Sequence, residues 1–440
     1  MQAVWNEVVI MTERLPCRTE GCKATILPAT AAKTGGYCMP CHQEQKRLER
    51  QAYIEAHRKT VNPYEGLTDP VEIIKVMHAP RRYDPLIKWV AYPLPREDLY
   101  ARLTDLEAAA LIDYARELLY EEDTDTAEEV LASLVCYRNT DISDIHELLM
   151  NKNIFSTPLL YKDAAGATRD RLFQLAEQDE EHRNAVLLAL SWIGDEVVVD
   201  RHLEWRSHPP AWVNKLYVQP QEYTVEAGWE LTPDGKRREL VLGSAYAIVQ
   251  KEPADDEQHL FSSAVFMTRS ANCCPWCGRR LTCLADVDAA HPSLSSLKLN
   301  QERLRIETCE HCGCYGFIYM EADPSGAPVW SVHNNQIPDY LSDIPDEDEM
   351  APEAAPLVLS PVPRSPYYGA DWALSQQDSQ LGGFPGWVQD AEYPVCPCCG
   401  RRMTFVGQMD YADFVEYGEG LFYMFVCPDD RMTAAVYQQS

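Results

Sequence analysis

The chain predicts an α+β, multi-domain fold: an N-terminal zinc finger, an α-helical stack, then a β-rich region built on a duplicated zinc-ribbon module. Three observations support this. Four cysteines fall between residues 17 and 41, and helical periodicity dominates from about Arg96 to Arg206. Two near-copies of one knuckle then stand far apart, Cys274-Pro-Trp-Cys277-Gly-Arg-Arg-Leu-Thr and Cys396-Pro-Cys-Cys399-Gly-Arg-Arg-Met-Thr, identical at seven of nine positions. Cys-x-x-Cys followed by Gly is a tight turn that aims two thiolates at one Zn²⁺.

At 440 residues the chain has room for several domains. The expected boundaries are 12–60 (zinc finger plus helix), 61–215 (helical domain), 216–337 (first ribbon copy), 338–366 (acidic, Pro-rich linker or long loop) and 367–440 (second copy). No segment approaches the ~18–20 apolar residues of a membrane span. Met1 to Pro16 lacks the basic and apolar stretches of a secretory signal, and Met11 is an alternative start. Sixteen cysteines without an export signal point to metal ligation in a reducing cytoplasm rather than to disulfides. The net charge of −29 argues against nucleic-acid binding through a broad basic face and favours a basic protein partner, with solubility as the competing account.

In the first unit Cys17-x4-Cys22 is followed after fifteen residues by Cys38-Met-Pro-Cys41, a spacing suited to a small zinc finger. Thr34-Gly-Gly-Tyr37 reads as a hairpin turn between the pairs. So short a segment cannot bury a core, so metal would supply its folding free energy. A charged helix follows, roughly His42 to Lys59. Asp69-Pro70 then starts a helix with the apolar stripe Val71, Ile74, Met77.

Helices are expected at Leu106–Leu119, Thr126–Tyr137, Ile142–Leu149, Thr168–Gln178 and His182–Ile193. Short helices with short loops describe an α-solenoid or irregular stack. After Pro209-Pro210 the pattern changes. Leu240–Val249, Leu260–Met267, Leu281–Val287, Met403–Met409 and Leu421–Val426 read as strands, with a turn at Thr232-Pro-Asp-Gly235.

In the first ribbon copy Cys274 and Cys277 are matched by Cys309-Glu-His-Cys312, giving four thiolates and a closed, structural Zn²⁺ site. Cys273, Cys283, Cys314 and His311 read as packing residues. In the second copy Cys396 and Cys399 are followed by Cys427-Pro-Asp-Asp430, so Asp430 stands at the fourth position. Three readings stay open: a Cys₃Asp site, Cys398 as substitute ligand, or a lost metal. Asp288 and Asp410 each lie eleven residues beyond the second cysteine of their knuckle, which a shared fold explains.

The run Asn184-Ala-Val-Leu-Leu-Ala-Leu-Ser-Trp-Ile-Gly-Asp-Glu-Val-Val-Val199 resembles a HEAT-type repeat, which implies a curved surface for protein contact. Gly382-Gly-Phe-Pro-Gly-Trp-Val-Gln389, the Cys396 knuckle, Phe405-Val-Gly-Gln408-Met-Asp410 and Leu421-Phe-Tyr-Met-Phe-Val-Cys427 together resemble the bacterial YwqG-like family. A looser likeness reaches the programmed cell death protein 2 family. The resemblance covers roughly residues 375–440, and Asp430 departs from the family's four-cysteine pattern. It implies immunity proteins of toxin systems in one direction and chaperones of a basic ribosomal protein in the other.

No His-Glu-x-x-His, Gly-x-Ser-x-Gly, P-loop or Gly-x-Gly-x-x-Gly occurs before a helix, and no catalytic residue is assigned. The expectation is a cytoplasmic, zinc-stabilised interaction protein. Its leading function is to neutralise a toxin with a basic surface. The cluster Glu121, Glu122, Asp123 and Asp125 is one candidate contact, or else a solvated loop. The alternatives are a chaperone or adaptor for a basic client, or an enzyme using the incomplete Cys396/Cys399/Cys427 site. No nucleic-acid or membrane partner is expected.

Overall fold

A computed structural model describes residues 13–250, 264–323, 326–334, 356–371, 374, 378–415 and 418–439. The chain divides into two compact units, Met1–Pro93 and Leu94–Ser440. The alternative start at Met11 lies outside the described residues.

In the first unit β1 (Leu15–Pro16) and β2 (Thr25–Ile26) form a short antiparallel ladder, followed by α1 (Pro28–Thr34) and α2 (Met39–His57). Pro28 starts α1 and Gly35, at φ +68°, ends it. The segment expected as a hairpin turn at Thr34–Tyr37 is therefore a helix C-terminus, because the alanine-rich run before it is helical. None of the nineteen residues of α2 is buried, and its exposed faces carry the pairs Glu44–Arg47 and Lys46–Glu49.

β3 (Lys59–Val61) precedes α3 (Pro70–His78), whose first turn is capped by Asp69 accepting from Val71 N–H at 2.9 Å. The helix buries Val71, Ile73, Ile74 and His78, a wider stripe than the sequence outlined. β4 (Ile87–Trp89) pairs in parallel with β3. That pairing ties residues 61–93 to the N-terminal cysteine segment, so the boundary expected after residue 60 falls after 93.

The second unit opens with helices α4 (Arg96–Ala101), α5 (Asp105–Tyr120), α6 (Thr124–Arg138), α7 (His146–Asn151), α8 (Gly166–Gln178), α9 (Arg183–Ile193) and α10 (Glu196–Ser207). Thr104 and Glu107 form a capping box at the start of α5. Asn139 and Gly194, both left-handed, end α6 and α9. Asp195 then caps α10 through Val198 N–H at 2.9 Å, giving the expected helix–Gly–Asp–helix corner. Asp123 caps α6 and Glu122 pairs with Lys152 at 2.5 Å, so two members of the acidic cluster serve the local fold.

A short α11 (Tyr223–Glu226), β5 (Trp229–Leu231) and β6 (Arg237–Glu239) lead to the β region. Its strands are β7 (Leu242–Gln250), β8 (Ala264–Cys273), β9 (Arg280–Asp288), β10 (Arg303–Thr308), β11 (Ile318–Ala322), β12 (Pro328–Trp330), β13 (Leu357–Arg364), β14 (Gln380–Gly383), β15 (Thr404–Asp410), β16 (Leu421–Cys427) and β17 (Met432–Gln438). One eight-stranded sheet has the order β12-β11-β17-β16-β15-β14-β7-β13, and a three-stranded sheet has the order β10-β9-β8. All seven residues of β16 are buried, as its unbroken apolar run requires of a strand covered on both faces.

The two ribbon copies therefore do not form two separate domains at 216–337 and 367–440. Strands β7, β11 and β12 from the first segment and β14 to β17 from the second share one sheet. Of the expected linker, the acidic run Asp346–Glu349 lies outside the described residues. Residues 357–364 instead form β13, which pairs with β7 and buries Leu357. The apolar start Leu357-Val-Leu359, with Pro361 and Pro363 tolerated because β13 is an edge strand, accounts for that. The strand expected at Leu260–Met267 begins outside the described residues and is seen from Ala264. The helical and β layers meet directly. The Trp229 indole donates to Ser191 O at 2.8 Å, and the Trp192 ring lies 5.0 Å from Phe384.

Candidate metal centres

The fold gathers three ligand sets: Cys17, Cys22, Cys38 and Cys41; Cys274, Cys277, Cys309 and Cys312; and Cys396, Cys399, Cys427 and Asp430. Within each set the ligand atoms lie within 4.8 Å of one another, and all sixteen cysteines are free thiols. Sulfur–sulfur distances of 3.8 Å (Cys22–Cys38), 3.4 Å (Cys277–Cys309), 3.9 Å (Cys274–Cys312) and 3.7 Å (Cys399–Cys427) are too long for disulfides. Tetrahedral ligands at about 2.3 Å from zinc stand about 3.8 Å apart, so the residues fit such an ion.

Both knuckles of the β region are built alike. Cys274 N–H bonds Arg279 O at 2.7 Å and Gly278 N–H bonds Cys274 O at 2.8 Å. The second copy repeats this with Cys396 N–H to Arg401 O at 2.8 Å and Gly400 N–H to Cys396 O at 2.9 Å. Gly278 (φ +77°) and Gly400 (φ +72°) occupy the left-handed region, with open space where a Cβ would lie. Glycine is there for the turn rather than for packing. The remaining ligands lie at or just beyond the ends of β10 and β16, each of which pairs antiparallel with the strand that leaves the knuckle. Asp288 and Asp410 accept from the backbone N–H two residues on, at 2.8 and 2.9 Å, so the repeated aspartate is a strand-end turn in both copies.

The centres differ in surroundings. Cys274, Cys309 and Cys312 are buried, and the cluster packs against Leu281, Ile318, Met320 and the Trp276–Trp330 ring pair at 5.3 Å. Hydrogen bonds from Cys309 and Cys312 hold the Cys274 thiol down to about 2, and the same contact pushes Cys309 up to about 12. One thiolate is thus held ready, and a bound cation would displace the remaining protons. In the N-terminal centre the Cys38 N–H, 3.2 Å from the Cys17 sulfur, is the main cause that lowers Cys17 to about 6.

In the third centre Asp430 lies 3.2 Å from the Cys396 sulfur and 3.3 Å from the Cys427 sulfur. Contacts with Cys399, Cys396 and Cys427 lower its carboxyl, while burial raises Cys396 to about 11. Cys399 is exposed. Cys398 points elsewhere, 3.8 Å from His333 Nε2, so it is Asp430 rather than Cys398 that stands with the three other cysteines. A cleft of about 370 Å³ opens beside it, lined by Cys427, Arg238, Arg401, Arg402, Glu239 and Asp429 among others. Arg401 pairs with Asp429, and Arg402 reaches Glu222 at 2.6 Å. The sequence reading passed over these arginines, although Arg-Arg follows the knuckle in both copies.

Of the residues set aside as packing, Cys273 and Cys314 are exposed, and buried Cys283 reaches Ala285 O at 3.4 Å. His146 is buried with Nε2 2.7 Å from Leu160 O. Gln408 is buried, accepts from Gly386 N–H at 2.8 Å and donates to Asp378 O at 3.0 Å.

Fold and sites define a mixed α+β protein with three cysteine-rich ligand clusters. Uncharacterized protein YpfL of Salmonella typhimurium is 39% identical over 436 residues, which spans 98% of this chain and all of the relative. The chain belongs to the family of that protein. No protein-family model matches it, and no solved structure matches it. Among the described residues no helix is long and apolar enough to cross a membrane.

Proposed function

We propose that this is a zinc-stabilised protein-interaction protein that binds and neutralises a basic protein toxin. The carrying observation is the charge of the second unit. Residues 94–440 hold twenty-six Lys and Arg against fifty-eight Asp and Glu. Electrostatic steering by such a surface favours a cationic partner. The ligand sets support a scaffold role: four ligands close a tetrahedral ion and leave it no position for substrate. The YwqG-like reading gains support from contact between its motif parts, since Gln408 bonds the backbone at Gly386.

Affinity capture from the native host, followed by reconstitution with the purified partner, tests the proposal. Submicromolar binding that weakens with salt is expected, together with rescue of growth when the toxin is co-expressed. Recovery of a ribosomal protein whose solubility depends on this chain would replace immunity by a chaperone role.

A further inference from the structure

The first unit has the opposite electrostatic character to the rest of the molecule. Residues 13–93 carry thirteen Lys and Arg against nine Asp and Glu. The whole-chain charge of −29 conceals this local excess. The excess is concentrated where β3 and β4 pair. Lys59 stands at the start of β3, Lys88 lies in β4, and Arg81 and Arg82 lie in the loop before it. All four are exposed. Among the described residues no carboxylate pairs with Lys59, Arg82 or Lys88. Asp84, the acidic residue of that loop, spends one carboxylate oxygen on Leu86 N–H at 2.8 Å.

Aromatic rings lie among these cations. Tyr83 is 86% exposed and Trp89 is 38% exposed. The Arg81 guanidinium sits 5.1 Å from the Trp89 ring and 5.6 Å from the Tyr64 ring, and Tyr64 packs edge-on against Tyr92 at 5.2 Å. Its Nη2 is fixed by Val76 O at 3.0 Å. A large exposed ring costs solubility unless something covers it, and these rings stand beside exposed cations. Anchored guanidinium, exposed indole and phenol, and Lys59 on the same side of the adjoining strand match one chemistry: stacking on bases with neutralisation of a phosphate backbone.

We infer that the side of the β3–β4 ladder that carries Lys59, Val61, Ile87 and Trp89 binds a single strand of nucleic acid, with Tyr83 and Trp89 stacking on bases and Lys59 and Arg82 meeting phosphates. An acidic protein segment would satisfy the cations but would leave both rings without a flat partner. The activity is separate from toxin binding and uses a different unit of the chain.

Fluorescence anisotropy of the full-length, metal-loaded protein with labelled oligo-rU and oligo-dT of about twenty nucleotides tests this directly. Dissociation constants between about 1 and 100 µM are expected at low salt, with log K falling against log salt at a slope of about −1.4 for two phosphate contacts. The two oligonucleotides separate RNA from DNA preference. The doubly substituted K59E/R82E protein should bind at least about tenfold more weakly, and Tyr83→Ala several-fold, with circular dichroism and metal content unchanged. Absence of binding to either strand at the lowest salt overturns the inference. So does binding undiminished by K59E/R82E. A loss of self-association in that variant, with no oligonucleotide binding by the parent, would instead assign the face to the acidic unit of a second copy.

Discussion

The centres at Cys274 and Cys396 are made by the same turn, the same glycine and the same strand-end aspartate, yet they sit in different electrostatic settings. The first offers four thiolates inside an apolar cluster with two tryptophans. The second offers three thiolates and a carboxylate, exposes Cys399, and opens on a cleft lined by three arginines. Replacing one soft thiolate by a hard carboxylate weakens the preference for zinc over other divalent ions. The difference teaches that a duplicated frame can keep its geometry while one copy exchanges a thiolate for a carboxylate and opens to solvent.

The comparison is broken most severely by Cys309→Ser. It should remove one equivalent of metal and destabilise the second unit by several kcal/mol, because structural zinc binding is itself folding free energy. Metal analysis and calorimetry check it. Equal effects from Cys309→Ser and Cys427→Ser would contradict the asymmetry.

Acid provides the next largest effect and a background against which both centres must be read. His202 is fully buried between Trp205 and Trp229, and burial lowers it to about 4. Its folded value lies below the unfolded value of about 6.5, so the unfolded chain binds more protons between pH 6.5 and 4. Stability from the neutral imidazole is full above about 6.5 and falls by about 3 kcal/mol as pH drops through that window. Denaturant melts of His202→Leu should show a flatter acid limb, and an unchanged limb would show that the histidine is not the source.

A smaller effect sharpens the contrast directly. On titration with a zinc chelator the Cys396 centre should release metal before the Cys274 centre, and Asp430→Cys should raise the chelator concentration required by about tenfold or more. If Asp430→Cys releases metal as readily as the parent, the carboxylate is not what sets lability. Smallest of all, Asp288→Ala and Asp410→Ala should each cost about 1 kcal/mol in melts, alike in both copies because both are turn caps. A much larger loss for Asp410→Ala would give that residue a role beyond the turn.

Much of this was legible in the sequence because its signals are local. Cysteine spacing marked the eleven cysteines that the fold gathers with Asp430 into three clusters, and the Asp69 cap placed the start of α3. The sheet was not legible. β7 has its partners over a hundred residues downstream in β13 and β14, and no local pattern specifies such pairings. For the same reason the two knuckles looked like two domains, although β11 and β17 join their segments in one ladder. Asp430 could be ranked above Cys398 only once Cys398 was seen beside His333. The N-terminal cationic face escaped notice because a summed charge averages over both compact units.

The antiparallel pairing of β11 with β17, Ile318 opposite Ala435 and Glu321 opposite Met432, has a consequence for synthesis. β17 (Met432–Gln438) is made long after β11, and it is the element that links the first repeat to the second. Until it leaves the ribosome, β11 and β16 each present an unpaired edge. The nascent chain therefore carries β11 with an open edge while all the residues between it and β17 are made. Truncations that remove β17 should behave as aggregation-prone assembly intermediates rather than as shortened native proteins.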